Sequence, residues 1–115
     1  MNTLLKKIFI GLFLIGLMMP SAITASADDL ETYTVIIKDH TFSPAELTIP
    51  ARKKVKLLVQ NQDPTPEEFE SYDLNREKIV PGNGEITVFI GPVKPGRYKF
   101  FGDFHKEAQG IIIAQ

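Results

Sequence analysis

The acidic run Glu67-Glu68-Phe69-Glu70 follows directly on the proline-rich loop Asp63-Pro64-Thr65-Pro66. In an extended chain Glu68 and Glu70 point to one face and Phe69 to the other. Two carboxylates on one face repel each other unless a cation lies between them, and carboxylate oxygens are natural ligands for hard and borderline metal ions. A second run, Phe101-Gly102-Asp103-Phe104-His105, gathers one carboxylate and one imidazole among aromatic side chains. That donor set suits copper(II), iron or zinc. His40, after Asp39 at the end of an alternating segment, is one of only two histidines. Taken singly, each of these features also fits an ordinary surface: a solvated acidic edge, an Asp–His pair, an exposed histidine at a strand end.

Other chemistries are excluded by what the chain lacks. It has no Cys, and its three Met (Met1, Met18 and Met19) all fall in the first nineteen positions. A disulfide scaffold, a thiolate nucleophile, a zinc–thiolate site and a blue copper centre of the usual type therefore fall away. There is no G-x-S-x-G, no phosphate-binding glycine loop and no H-E-x-x-H, so no catalytic residue is assigned. A net charge of -1 in 115 residues, without a basic stripe, speaks against a nucleic-acid partner.

The first 27 residues read as a secretory signal. Lys6 and Lys7 precede an uncharged, mostly apolar run from Ile8 to Met19, Pro20 breaks it, and Ala25-Ser26-Ala27 has the small residues of a cleavage site. The run is shorter than the roughly 20 residues that a membrane-spanning helix needs. The expected product is residues 28–115, exported to the periplasm or beyond. Losing Lys6 and Lys7 shifts the net charge from -1 to -3.

The elements that must position the candidate ligands are strands. Two-residue alternation runs through Tyr33-Val35-Ile37, Leu47-Ile49, Val55-Leu57-Val59, Ile86-Val88-Ile90 and Tyr98-Phe100, with an apolar closing strand Ile111–Ala114. Turn signals separate them at Ser43-Pro44, Pro50-Ala51, Asp63-Pro64-Thr65-Pro66, Pro81-Gly82-Asn83-Gly84 and Gly91-Pro92 through Pro95-Gly96. Short strands at this spacing predict one all-β antiparallel sandwich or barrel. The polar stretch Ser71–Lys78 lacks strict alternation and reads as a helical turn or irregular loop.

From Tyr33 to Ala114 the pattern resembles the cupredoxin-like domains. Asn61 to Pro66 is similar to the family's strand-ending Asn and its proline-containing loop. Pro95-Gly96-Arg97-Tyr98 is similar to its last hairpin, and Gly110-Ile111-Ile112-Ile113 to its closing strand. The resemblance implies a Greek-key antiparallel β-sandwich. It also locates the departures: Glu67 or Glu68 stands at the first His position, Gly102 at the Cys position, and Gln109 nearest the Met position, while His105 is the counterpart of the second His. The motif Glu68-Phe69-Glu70, with the acidic segment and Pro81-Gly82 after it, resembles the narrower subset that accompanies periplasmic iron-uptake permeases.

The resemblance implies that the two loops meet at one end of the sandwich. The expected metal ligands are Glu68, Glu70, Asp103 and His105, with Glu67 and His40 in reserve and Phe69, Phe101 and Phe104 as walls. The implied cofactor is a copper or iron ion without a blue copper centre, and the implied partner a membrane iron permease. A metal-free binding module on the same scaffold and a small iron oxidase stay open as alternatives.

Overall fold

A computed structural model describes residues 29–115; the expected signal segment, residues 1–27, lies outside the described residues. Nine strands follow one another: β1 (Thr32–Lys38), β2 (Thr41–Ser43), β3 (Glu46–Ile49), β4 (Val55–Asn61), β5 (Glu67–Ser71), β6 (Arg76–Val80), β7 (Glu85–Ile90), β8 (Gly96–Gly102) and β9 (Gln109–Ala114). There is no α-helix among the described residues. The strands form two sheets, ordered β2-β1-β4-β7 and β3-β9-β8-β5-β6. The all-β sandwich expected from the alternation is the observed architecture. Most neighbours run antiparallel, while β1 with β4 and β3 with β9 run parallel.

The inward positions of the alternating strands make the core. Val35 and Ile37 of β1 meet Val55, Leu57 and Val59 of β4 and Val88 and Ile90 of β7, all buried. The second sheet supplies Ile49, Phe69, Val80, Phe100 and Ile112. Three rings fill the middle: Phe69 stacks on Phe100 with centroids 5.2 Å apart, and Phe42 meets Phe100 edge-on at 4.9 Å. Such pairs add to the burial energy of the rings themselves. Gly110 is required beside them, since a Cβ there would come within 2.2 Å of the Phe100 ring.

The stretch Ser71–Lys78 differs from the helical turn or irregular loop that its polarity suggests. It is a β-hairpin, in which Ser71 ends β5, Asn75 turns the chain at φ 54°, and Arg76 begins β6. The Ser71 hydroxyl accepts the Leu74 amide at 3.1 Å and donates to the Lys99 carbonyl at 2.6 Å, which ties the turn to β8. β6 is an edge strand whose first four residues are exposed, so no alternation marks it. Two of its side chains reach the edge of the other sheet: Arg76 Nε donates to the Phe89 carbonyl at 2.8 Å, and Lys78 Nζ to that of Thr87 at 3.2 Å. These cations occupy carbonyls of β7 that face outward, a recurrent way of blunting a sheet edge.

Candidate functional site

Three connections meet at one end of the sandwich: the β1–β2 turn at Asp39-His40, the β4–β5 loop from Gln62 to Pro66, and the β8–β9 loop from Asp103 to Ala108. Asn61, buried at the end of β4, organises the second. Its side-chain oxygen accepts the Asp63 amide at 3.0 Å, and its Nδ2 donates to the Thr65 carbonyl at 2.8 Å. Asp63 is thereby aimed at the first turn. Its Oδ1 accepts the Asp39 amide at 2.8 Å and its Oδ2 the His40 amide at 3.0 Å. Asp39 and His40 both have left-handed backbones, with φ of 51° and 56°. That conformation costs a non-glycine residue roughly 1–2 kcal/mol, and two hydrogen bonds to one carboxylate offset it. The His40 amide is the main reason that the Asp63 carboxyl lies below its ordinary value. The Asp39 amide and the nearby His40 and His105 rings act in the same direction, and burial opposes them.

Strand β5 divides the acidic run between two faces. Glu67 and Phe69 turn inward; Glu68 and Glu70 turn outward. Glu67 is 1% exposed, and its carboxylate accepts three hydrogen bonds. Oε1 takes the amides of Glu68 and Phe104, both at 2.9 Å, and Oε2 lies 2.6 Å from His105 Nδ1. Since a carboxylate oxygen accepts, the imidazole nitrogen is the donor. His105 in turn stacks on His40, ring centroids 3.6 Å apart and planes within 16°. His40 Nδ1 stands 3.5 Å from Asp63 Oδ2. His40, Glu67 and His105 thus bring one donor atom each within 4.8 Å of one another.

The outer face carries a second convergence. Glu68, Glu70 and Asp103 also have donor oxygens mutually within 4.8 Å. Glu70 is directly opposite Glu77 of β6 and, on its other side, Phe101 of β8. Like charges in register across two strands are destabilising. Burial, and after it the charges of Glu77 and Asp103, push the Glu70 carboxyl up from its ordinary value. Glu68 is raised as well, first by burial, then by Glu77 and by a hydrogen bond and charge from Asp103. Lys106 approaches this group only at 3.7 Å from Asp103, through an exposed side chain.

The residues singled out in the sequence therefore fall into two groups. Glu68, Glu70 and Asp103 gather on the outer face of the five-stranded sheet. His105 instead joins Glu67 and His40 on the loop-facing side. The aromatic residues go three ways. Phe69 is a fully buried core ring, Phe101 lies on the outer face edge-on to Tyr72 at 5.3 Å, and Phe104 is 47% exposed. It is the Phe104 amide, not its ring, that reaches Glu67. Asp63 escaped the sequence reading. Its only local signal is its place two residues after Asn61, and its partners lie 23 and 24 positions away.

A blue copper centre does not fit. Among the described residues there is no Cys, and at Gly102, the position that the resemblance gives to the thiolate, a Cβ would meet Glu67 Cδ at 2.7 Å and both carboxylate oxygens at 2.9 Å. The Glu67 side chain occupies the space a ligand at 102 would need. The two imidazoles and one carboxylate present do fit a borderline ion such as copper(II), whereas the all-oxygen outer group fits a harder one.

A family model described as a cupredoxin-like domain matches residues 10–114. An uncharacterised protein of Rickettsia prowazekii (strain Madrid E) is 47% identical over 87 residues, which span 75% of this chain and 70% of that protein. The purple cupredoxin of Nitrosopumilus maritimus superposes with a TM-score of 0.56 at 21% identity, over 71% of this chain and 98% of its own. Auracyanin A, a blue copper protein of Chloroflexus aurantiacus, gives 0.62 at 13% identity over 73% and 98%. The metal-binding domain of the Cu(I)-exporting P-type ATPase CopA of Streptococcus pneumoniae D39 gives 0.63 at 14% identity over 73% and 84%. At these identities the solved structures establish a shared fold.

Proposed function

Because the chain belongs to the cupredoxin-like domain family, we propose that it is an exported metal-binding protein that serves periplasmic iron uptake, holding copper, iron or both through nitrogen and oxygen ligands. The observation that carries this reading is the convergence of His40, Glu67 and His105 at the loop end of a chain that has no thiolate. These residues would hold copper, which when bound supplies one-electron redox chemistry. The chain's own contribution is to hold two imidazoles together, His40 through Asp63 and Asn61 and His105 through the buried carboxylate of Glu67. The outer group of Glu68, Glu70 and Asp103 would take iron as cargo, because hard cations prefer oxygen ligands. Passing iron or electrons to a membrane permease rests on the resemblance of Glu68-Phe69-Glu70 to the permease-associated subset, and export on the pattern of residues 1–27.

Titration with copper(II) and iron separates the two groups. Glu68→Ala with Glu70→Ala should abolish iron binding and leave copper, while His40→Ala with His105→Ala should do the reverse. Unchanged binding of both metals in both variants would rule the assignment out. For the cellular role, deletion of the gene should lower iron accumulation when iron is scarce, and undiminished accumulation would dismiss the permease link.

One observation favours a second reading, a binding module that works without metal: the Glu67 carboxylate is already satisfied by three donors of the protein itself. Elemental analysis of the protein from its native compartment distinguishes the two readings.

A further inference from the structure

Resting on the metal-binding reading above, we infer that the ligand atoms of the inner group are the Nε2 nitrogens of His40 and His105, and that Glu67 and Asp63 are positioning residues that brace the two rings from behind. Glu67 is the nearest anionic group to His105, so the simpler expectation would make it a third ligand. Its hydrogen bonds argue otherwise. Oε1 is committed to two backbone amides, those of Glu68 and Phe104, which belong to two different segments of the site. Oε2 is committed to His105 Nδ1 at 2.6 Å. To coordinate an ion, the buried carboxylate would have to give up three part-buried hydrogen bonds, and a polar group left without a partner away from water is costly. Gly102 packs against the carboxylate too closely to admit even a Cβ, so the group is backed by the β8 main chain on that side.

The same hydrogen bond fixes the chemistry of the ring. With Nδ1 donating to Glu67, a neutral His105 has its free lone pair on Nε2, and that nitrogen is the one able to bind a metal. His40 is held differently but to similar effect. Its Nδ1 faces Asp63 Oδ2 at 3.5 Å, beyond a formed hydrogen bond. The same carboxylate nevertheless clamps the His40 main chain and that of Asp39 in their left-handed turn. Each ring therefore has a buried carboxylate on its Nδ1 side. Both rings remain partly open to solvent, with side-chain exposures of 43% for His40 and 28% for His105.

The lone pair of a ring nitrogen lies in the ring plane, and the two rings stack with centroids 3.6 Å apart and planes within 16°, so the stacked rings do not aim both Nε2 atoms at one point. Sharing one ion requires a ring to turn out of the stack, and His40 has that freedom: its Nδ1 makes no formed hydrogen bond and its side chain is 43% exposed. A carboxylate that receives the second ring hydrogen of a metal-bound histidine is a recurrent arrangement; its loss typically weakens metal binding about 10–100-fold without removing a ligand.

Two measurements on the full chain test this. In the metal-free protein, long-range proton–nitrogen correlation NMR should show neutral His105 as the Nδ1-protonated tautomer; a neutral ring protonated at Nε2 would overturn the inference whatever the metal affinity. In the copper(II)-loaded protein, pulsed electron paramagnetic resonance should detect two coordinated imidazoles. Glu67→Gln, which keeps the side chain's shape and one acceptor oxygen, should retain both imidazole couplings, alter the remote-nitrogen signal of one, and weaken binding about 10–100-fold. His40→Ala and His105→Ala should each remove one coupling. A single imidazole in the wild type, or loss of copper in Glu67→Gln as complete as in His105→Ala, would show that Glu67 is itself a ligand. If the wild type binds no copper at all while the Nδ1 tautomer is present, the failure belongs to the metal-binding reading and not to the bracing of His105 by Glu67.

Discussion

The carboxylate of Glu67 fills the place a side chain at position 102 would occupy: a Cβ on Gly102 would stand 2.7 Å from Glu67 Cδ. The two positions are 35 residues apart in sequence and belong to neighbouring strands of one sheet, β5 and β8. Glycine at 102 is thus the condition for a buried carboxylate at 67. Together they let an acidic side chain of β5 reach across to His105.

Gly102→Ala should therefore do more than add a methyl group. Overpacking of a tight interior site costs about 1–3 kcal/mol, and here the atoms displaced are those that hold Phe104 and His105 in place. The expected outcome is a lower midpoint in urea together with loss of the His105 Nδ1 hydrogen-bond signal in NMR. An unperturbed His105 in a folded Gly102→Ala protein would contradict the coupling.

Asp63→Asn removes the charge that serves two amides of the left-handed turn. We expect a loss of about 1–3 kcal/mol, the range for weakening hydrogen bonds to a buried charged group. The pH dependence follows from the sign of the shift. The folded-state Asp63 carboxyl lies below its ordinary value of 3.8. The unfolded chain therefore binds more protons between the two values, and the stabilisation is complete above 3.8 and lost as pH falls through the lower, folded value. Acid unfolding curves of the wild type should show this loss, and those of Asp63→Asn should show less of it.

The outer carboxylates predict the opposite sign. Glu68 and Glu70 are both raised above an ordinary value of 4.5. Their ionisation therefore opposes folding: stability is greatest below 4.5 and declines as pH rises through the folded-state values. Glu77 contributes to both shifts. Glu77→Gln should accordingly raise the melting midpoint of the metal-free protein at neutral pH, by a small amount that shrinks in high salt. A fall in the midpoint would show that the Glu70–Glu77 pairing is not repulsive.

Phe69→Ala separates core from site. Phe69 is fully buried between Phe42 and Phe100, so its truncation should cost about 3–5 kcal/mol. Denaturant titration measures this directly. A variant of normal stability with impaired metal binding would return Phe69 to the wall of the site.

Much of this architecture was legible because burial follows a period of two. Val35-Ile37, Val55-Leu57-Val59 and Val88-Ile90 announce half-buried strands, and the packed core contains those residues. β6 was illegible for the converse reason: only Val80 of that strand is buried, so nothing alternates. In the site, the acidic run and the Asp103–His105 loop stood out by residue type. Which of them share a face depends on the pleat of β5 and on the path of a six-residue loop after Gly102, and that path is set by hydrogen bonds such as His105 N to the Gly102 carbonyl and Ala108 N to that of His105. His40 was the hardest to place. Its position is dictated by a carboxylate 23 residues downstream, and no local pattern in Asp39-His40 carries that information.

Isothermal titration of the metal-free protein with copper(II), wild type beside His40→Ala with His105→Ala, decides whether the loop end of this sandwich holds a metal without a thiolate. We predict one tight equivalent in the wild type and its loss in the double variant, with the fold retained by circular dichroism. Equal binding in the two proteins, or none in the wild type, would show that His40 and His105 hold no metal there.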